Sequence, residues 1–338
     1  MSAAAVAGRE LSKMENKMTF REISDAWYGQ KKNMVKQSTI LYYQLILHKR
    51  LLPYFGEATE ISETDAQRFV MGMHAQGVSR HTLRDTVAVL KQVIKYGRKH
   101  RMASYAASCD EWELEFPREN RPGRLPVLSI ADHRKLLDRL MEAPTPKGIG
   151  VLLALCAGMR IGEVCALRWE DVDMKARTIT VSRTTARVYD CAARTTVRTL
   201  SAPKTRNSYR DIPISAPLHR ALRTVRKLSR SEYVTCGTYY ARPVEPRNLR
   251  DHFARILKRL GIPAIVFHGL RHTFATRCVE SGCDVKTLSA ILGHSNVAIT
   301  LNLYVHPDDV QKKQCVDRMA KFLNPRRGSA SNSPTATR

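Results

Sequence analysis

Six residues in the C-terminal half of this 338-residue chain carry side chains suited to phosphate chemistry: Arg160, Lys204, His268, Arg271, His294 and Tyr304. Two guanidiniums can each present a planar fork of donors to a phosphate. Two imidazoles can donate hydrogen bonds or move protons near neutral pH. A lysine supplies a cationic donor or, with its pKa lowered, an acid. A tyrosine hydroxyl becomes a nucleophile where positive charge favours its oxyanion. These segments lack the carboxylates that would hold Mg²⁺. Together the residue types describe a phosphate-binding cage with a nucleophile, attacking a phosphodiester without metal or cofactor.

The elements that must position these groups read as a mainly helical unit with a small sheet. Ser129 is a credible N-cap for a helix through Met141. The almost wholly apolar run from Gly148 to Cys156 reads as a buried helix that delivers Gly158-Met159-Arg160 at its end. Arg160 and Glu163 are three apart and share a helical face; Glu163 is either a surface ion-pair partner or a residue orienting a catalytic base. Residues 177–182 and 210–214 alternate like strands. The polar span between them holds Lys204 and a long hairpin, residues 183–200, whose Arg187 and Arg194 are available to phosphates. Helices are expected at 216–229, 246–260, 268–281, 284–292 and 308–323. His268 and Arg271 lie three apart at a helix start, near its positive end. His272 reads as a packing or capping residue and His306 as a bystander.

Towards the N-terminus, helices are expected at 19–30, 38–53, 62–76 and 79–101, with Ser38, Ser62 and Ser79 as N-caps. In the last of these, Leu83, Val87, Leu90 and Ile94 form a core stripe, which leaves Arg80, Arg84, Lys91, Lys95 and Arg98 largely on other faces. Residues 19–105 hold 14 Lys and Arg against 7 Asp and Glu. Acidic residues from Asp110 to Glu115, then Pro117, Pro122, Gly123 and Pro126, mark residues 106–128 as an interdomain linker. The organisation expected is therefore a leader (1–18), a helical domain (19–105), the linker (106–128), a second domain (129–324) and a Ser/Pro/Thr-rich disordered tail (325–338).

Composition bounds the partner. With 43% hydrophobic residues the chain can bury two cores. Its 56 Lys and Arg against 31 Asp and Glu give a net charge of +25, which favours a polyanion and salt-sensitive binding. Charge alone fits a ribosome-associated factor equally well; the ordered motifs separate the two. Eight cysteines show no Cys-X-X-Cys or zinc-finger spacing, so reduced thiols in a cytoplasmic protein are expected. No stretch approaches the roughly 20 apolar residues of a membrane span.

The boxes Ala157-Gly-Met-Arg160-Ile-Gly-Glu163 with Leu167-Arg-Trp169, and His268-Gly-Leu-Arg271-His272-Thr-Phe-Ala-Thr through Leu292-Gly-His294 to Tyr304, resemble the tyrosine recombinases of the phage-integrase family over residues 19–325. That resemblance implies a helical core-binding domain and a catalytic domain forming a C-shaped clamp on double-stranded DNA, with Arg80, Arg84, Lys91 and Lys95 among the DNA contacts. It makes Tyr304 the nucleophile that forms a 3′-phosphotyrosine, with Arg160, Arg271 and His294 stabilising charge. Lys204, in Pro203-Lys204-Thr205, would protonate the 5′ oxygen, and His268 would accept or relay the tyrosine proton. It further implies a homotetramer on two inverted-repeat sites passing through a Holliday junction, with an accessory directionality factor left open. The helix expected at 308–323 either packs on its own chain or docks on a neighbour. No arm-binding domain is expected before residue 19. The ending Tyr304-Val-His-Pro-Asp308 favours a bacterial mobile-element integrase, cytoplasmic and nucleoid-associated. A DNA invertase or chromosome-dimer resolvase of the same family, a type IB topoisomerase and a non-catalytic DNA-binding relative are the alternatives.

Overall fold

A computed structural model describes residues 18–102, 109–118, 126–190, 195–201, 208–236, 243–294, 296–304, 313, 316–320 and 323. The chain divides into two compact units at Gly123/Arg124, with Ala186–Thr199 grouped with the first.

The first unit is built from α1 (Phe20–Lys31), α2 (Gln37–Ile46), a π-helical turn (Leu47–Leu51), α3 (Leu52–Phe55), α4 (Glu63–Ala75) and α5 (Arg80–Lys99). Two capping boxes start its helices, Thr19 with Glu22 and Ser62 with Asp65, each satisfying amides that the first turn leaves orphaned. Ser79 also caps α5 as expected. Ser38 does not cap α2: the helix begins at Gln37 with Lys36 at its N-cap, and Ser38 sits inside the first turn. The helix expected over 38–53 breaks into three pieces because the π-helical turn intervenes before Pro53. Phe20, Ile23, Trp27, Leu51, Phe55, Phe69, Leu90 and Ile94 form the core.

Part of the stretch expected to be a linker belongs to this core. Cys109 and Trp112 are buried in it, and Gln67 exchanges two hydrogen bonds with the backbone of Glu115. This segment engages most of the α5 cations that were assigned to DNA. Lys91 Nζ donates to the Trp112 carbonyl at 3.3 Å, Lys95 pairs with Asp110, and the Arg84 guanidinium lies 5.5 Å from the Phe116 ring centroid. Arg80 is half-buried. Helical periodicity identified the non-core face of α5 but could not show that residues 109–116 would fold over it.

The second unit contains α6 (Ile130–Glu142), α7 (Pro146–Ala157), α8 (Ile161–Ala166) and a 3₁₀ turn (Trp169–Asp171). Next along the chain come β1 (Val172–Asp173), β2 (Thr178–Val181), β3 (Thr184–Asp190), β4 (Thr195–Ser201) and β5 (Arg210–Pro213), of which most of β3 and β4 groups with the first unit. The helices α9 (Ala216–Leu228), α10 (Pro246–Leu260), α11 (His268–Glu280), α12 (Val285–Leu292) and α13 (Val297–Tyr304) follow. Strands β1, β2 and β5 form an antiparallel sheet in that order, with Ile179 opposite Ile212, and β3 pairs with β4. Helix α7 carries no charge after Lys147 and is buried almost all round, as a central helix must be; α6, α9, α10 and α11 pack about it. Of the helix expected over 308–323, the described residues 313, 316–320 and 323 are helical. Among the described residues no helix is long and apolar enough to cross a membrane.

Candidate active site

The site forms where two helices end. Helix α7 stops at Gly158, whose φ of +62° is the left-handed C-cap that glycine adopts without strain. Its space is closed as well: a Cβ there would lie 2.6 Å from Phe274 Cδ1. Two residues later Arg160 becomes the N-cap of α8. Helix α12 likewise stops at Gly293, at φ +65°, and the next residue is His294. Each glycine thus turns the chain out of a helix to present the next functional side chain.

The carbonyls left unpaired at these helix ends receive arginine donors. Arg271, 1% exposed, bonds the Gly158 carbonyl through Nη1 and the Leu292 carbonyl through Nη2, both at 2.7 Å. Arg160 Nη2 reaches the Gly293 carbonyl at 3.1 Å. Arg210 Nε reaches the Ile291 carbonyl at 2.6 Å. Three consecutive carbonyls at the C-terminal end of α12 and its Gly293 cap are therefore held by three guanidiniums, and each hydrogen bond offsets the cost of an orphaned helix terminus.

Glu163 joins two of these arginines. Its carboxylate accepts from the Arg160 backbone amide at 2.9 Å and from Arg160 Nη1 at 2.8 Å. Arg210 grips it with a fork, at 3.0 and 2.8 Å. Only 4% exposed, Glu163 is not a surface ion-pair partner, and the groups it orients are arginines. Burial by itself would raise its pKa, but the hydrogen bonds and charge of Arg210, with those of Arg160, hold the carboxyl at about 2. Sequence reasoning placed Arg210 only as a strand residue; nothing in its spacing marks it as part of the site.

Tyr304, at the end of α13, is 7% exposed. Its hydroxyl is 2.7 Å from His272 Nδ1. His272, read from sequence as packing or capping, is thus the histidine in contact with the tyrosine. His268 lies edge-on to His272 with ring centroids 4.7 Å apart. The His294 ring is nearly parallel to that of Tyr304 at 6.5 Å, and its Nδ1 pairs with Thr300 Oγ1 at 2.8 Å. Burial, then the charges of Arg271, Arg160 and Arg210, bring His294 down to about 4. Burial, with His268 and Arg271, brings His272 to about 4, and burial followed by Arg271 lowers His268. In all three imidazoles burial and the neighbouring positive charges favour the neutral form. Burial raises the Tyr304 phenol while Arg271 and Arg160 pull it back. The structure thus brings Arg160, Glu163, His268, Arg271, His294 and Tyr304 into one cluster. Lys204, Arg194 and His306 lie outside the described residues, and Arg187 is exposed on β3.

The profile of the phage integrase family matches residues 127–311, and that of the phage integrase N-terminal SAM-like domain matches residues 19–74. The chain belongs to the phage integrase family. It is 30% identical over 281 residues to a tyrosine recombinase XerC-like protein of Caldanaerobacter subterraneus subsp. tengcongensis, covering 77% of this chain and 71% of that one. It is 26% identical to the tyrosine recombinase XerA of Pyrococcus furiosus, covering 83% of this chain and 88% of that one. Its fold is similar to that of the Tn1549 transposon integrase solved with transposon right-end DNA, at TM-score 0.71 and 22% identity over 90% of this chain and all of that one. It also resembles the lambda integrase tetramer bound to a Holliday junction, at TM-score 0.63 and 15% identity over 87% of this chain and 80% of that one. This phage-integrase member is a tyrosine recombinase, an enzyme of site-specific DNA breakage and rejoining, and its α+β architecture is the one the sequence implied.

Proposed function

We propose that this recombinase cuts and rejoins DNA through Tyr304, to integrate and excise a mobile element, with His272 rather than His268 in contact with the nucleophile. The observation that carries the reading is the hydrogen bond between the Tyr304 hydroxyl and a neutral His272, beside two arginines whose positions are fixed by helix-end carbonyls. Tyr304 Oη attacks the scissile phosphorus in line, and the P–O5′ bond breaks as the P–Oη bond forms. The phenolic proton passes to His272 Nδ1, and Lys204 donates a proton to the departing 5′ oxygen. Among the described residues Arg160 and Arg271 each use two N–H groups on protein, which leaves three of the five donors on each for the nonbridging oxygens. With His294 they stabilise the charge that develops there. The phosphotyrosyl ester conserves the bond energy, and a 5′-hydroxyl from a second duplex reverses the step, so no cofactor is required.

The partner is double-stranded DNA with inverted-repeat core sites, on which four protomers assemble across two sites and exchange strands through a Holliday junction. An accessory directionality factor would bias the outcome. The net charge of +25 supports the polyanionic partner. The first domain and Arg187, exposed on the β3–β4 hairpin, supply phosphate contacts. The enzyme would work in the bacterial cytoplasm at the nucleoid.

The test is covalent trapping on a library of nicked duplexes that lose the 5′-hydroxyl fragment on cleavage. An enriched inverted-repeat sequence in denaturant-resistant adducts supports the reading; strong DNA binding with no adduct on any sequence contradicts it. Relaxation of supercoiled plasmid lacking that site would point instead to a topoisomerase.

A further inference from the structure

Arg210 opens β5 with its side chain 5% exposed. Four of its five N–H donors are engaged: two on Glu163, one on the Ile291 carbonyl and one on the Ser208 carbonyl at 3.2 Å. Such a guanidinium is not available to a phosphate. Arg160, by contrast, is 35% exposed, and its side chain has one bond to Glu163. The two arginines share one carboxylate unequally: Arg210 holds it with a two-pronged ion pair, the stronger geometry, and Arg160 with a single prong.

We infer that Arg210 is a positioning residue for strand cleavage: by neutralising Glu163 it leaves the charge of Arg160 uncancelled for the scissile phosphate, and it fixes the α12 end that carries His294. Arg160, Glu163 and Arg210 together carry one net positive charge. Without Arg210, Arg160 and Glu163 form a neutral pair, and the buried carboxylate turns both oxygens on Arg160, drawing the guanidinium from its substrate. The Ile291 carbonyl also loses its donor, next to the Leu292 and Gly293 carbonyls that align Arg271 and Arg160.

This inference rests on the reading of Arg160 as a phosphate donor, and the experiment separates the two. Single-turnover cleavage of a nicked suicide duplex, DNA affinity and thermal stability are measured for the full chain and for Arg160→Met, Arg210→Met and Arg210→Met/Glu163→Gln. Arg210→Met is expected to cleave about 100-fold more slowly, as for loss of a transition-state donor, with DNA affinity changed less than about threefold, because the Arg210 side chain is buried and engaged on protein groups. Removing the freed carboxylate in the double variant is expected to restore cleavage by about tenfold or more, which a merely structural role would not produce. Wild-type cleavage by Arg210→Met, or a double variant no faster than the single one, overturns the inference. Should Arg210→Met fail to fold, Arg210→Gln, which also removes the charge, decides with and without Glu163→Gln on the same criterion. If Arg160→Met cleaves like the wild type, it is the reading of Arg160 that fails.

Discussion

His272 Nδ1 and Tyr304 Oη lie 2.7 Å apart, across 32 residues of sequence, in a site where the imidazole is held neutral. A neutral ring nitrogen at hydrogen-bond distance from a phenol is placed to take its proton as the oxygen attacks. His272→Gln is therefore expected to slow single-turnover cleavage by about 100-fold, at the low end of general-base contributions. The residual rate should rise with pH as the phenol ionises unaided. A rate profile of His272→Gln beside His268→Gln checks this: equal rates for His272→Gln and the wild type would remove His272 from the proton path.

Arg271→Lys keeps a positive charge but loses the fork that spans the Gly158 and Leu292 carbonyls. Cleavage should fall by about 100-fold or more. Stability should fall by about 1–3 kcal/mol, the cost of leaving a buried polar group unsatisfied. Chemical unfolding and suicide-substrate cleavage measure the two effects on one preparation.

Gly158→Ala combines a left-handed backbone with a Cβ 2.6 Å from Phe274 Cδ1 and 2.9 Å from Leu292 Cδ2. The backbone term costs about 1–2 kcal/mol and overpacking about 1–3 kcal/mol. Because Arg160 follows two residues later, cleavage should fall along with the thermal midpoint. A variant with unchanged stability and rate would show that the turn is not strained.

The site's histidines and Glu163 also set a pH dependence of stability. Each imidazole has its folded-state pKa below the unfolded value of about 6.5. The unfolded chain therefore binds more protons as pH falls. Their stabilising contribution is complete above about pH 6.5 and is lost as pH drops towards about 4, the value for His272 and His294. Glu163 adds a second loss below its ordinary value of 4.5, extending towards about 2. Thermal unfolding from pH 8 to pH 4 should show a plateau and then a decline, shallower in His272→Gln. A midpoint that rises on acidification would contradict the assignment.

What the sequence revealed and what it concealed follow from the range of the interactions. The helix starts at Ser62, Ser79 and Ser129 were legible because a cap acts over three residues. The buried α7 was legible because its apolar character is continuous. The cluster of Arg160, His268, Arg271, His294 and Tyr304 was legible through the ordered boxes that resemble the phage-integrase family. Arg210 did not, because it meets Glu163 across 47 residues and Ile291 across 81, and no local pattern encodes such pairing. The tie of Lys91 and Lys95 to residues 110–112 was hidden for the same reason, since charge on a helix face does not say what folds over it.

The decisive measurement is to digest the trapped protein–DNA adduct and map the DNA-linked peptide by mass spectrometry. The arrangement of Tyr304 against His272 and the arginines predicts one linked residue, Tyr304, joined to a 3′-phosphate, and no adduct from Tyr304→Phe. Linkage at another residue, or an adduct that persists in Tyr304→Phe, would contradict it.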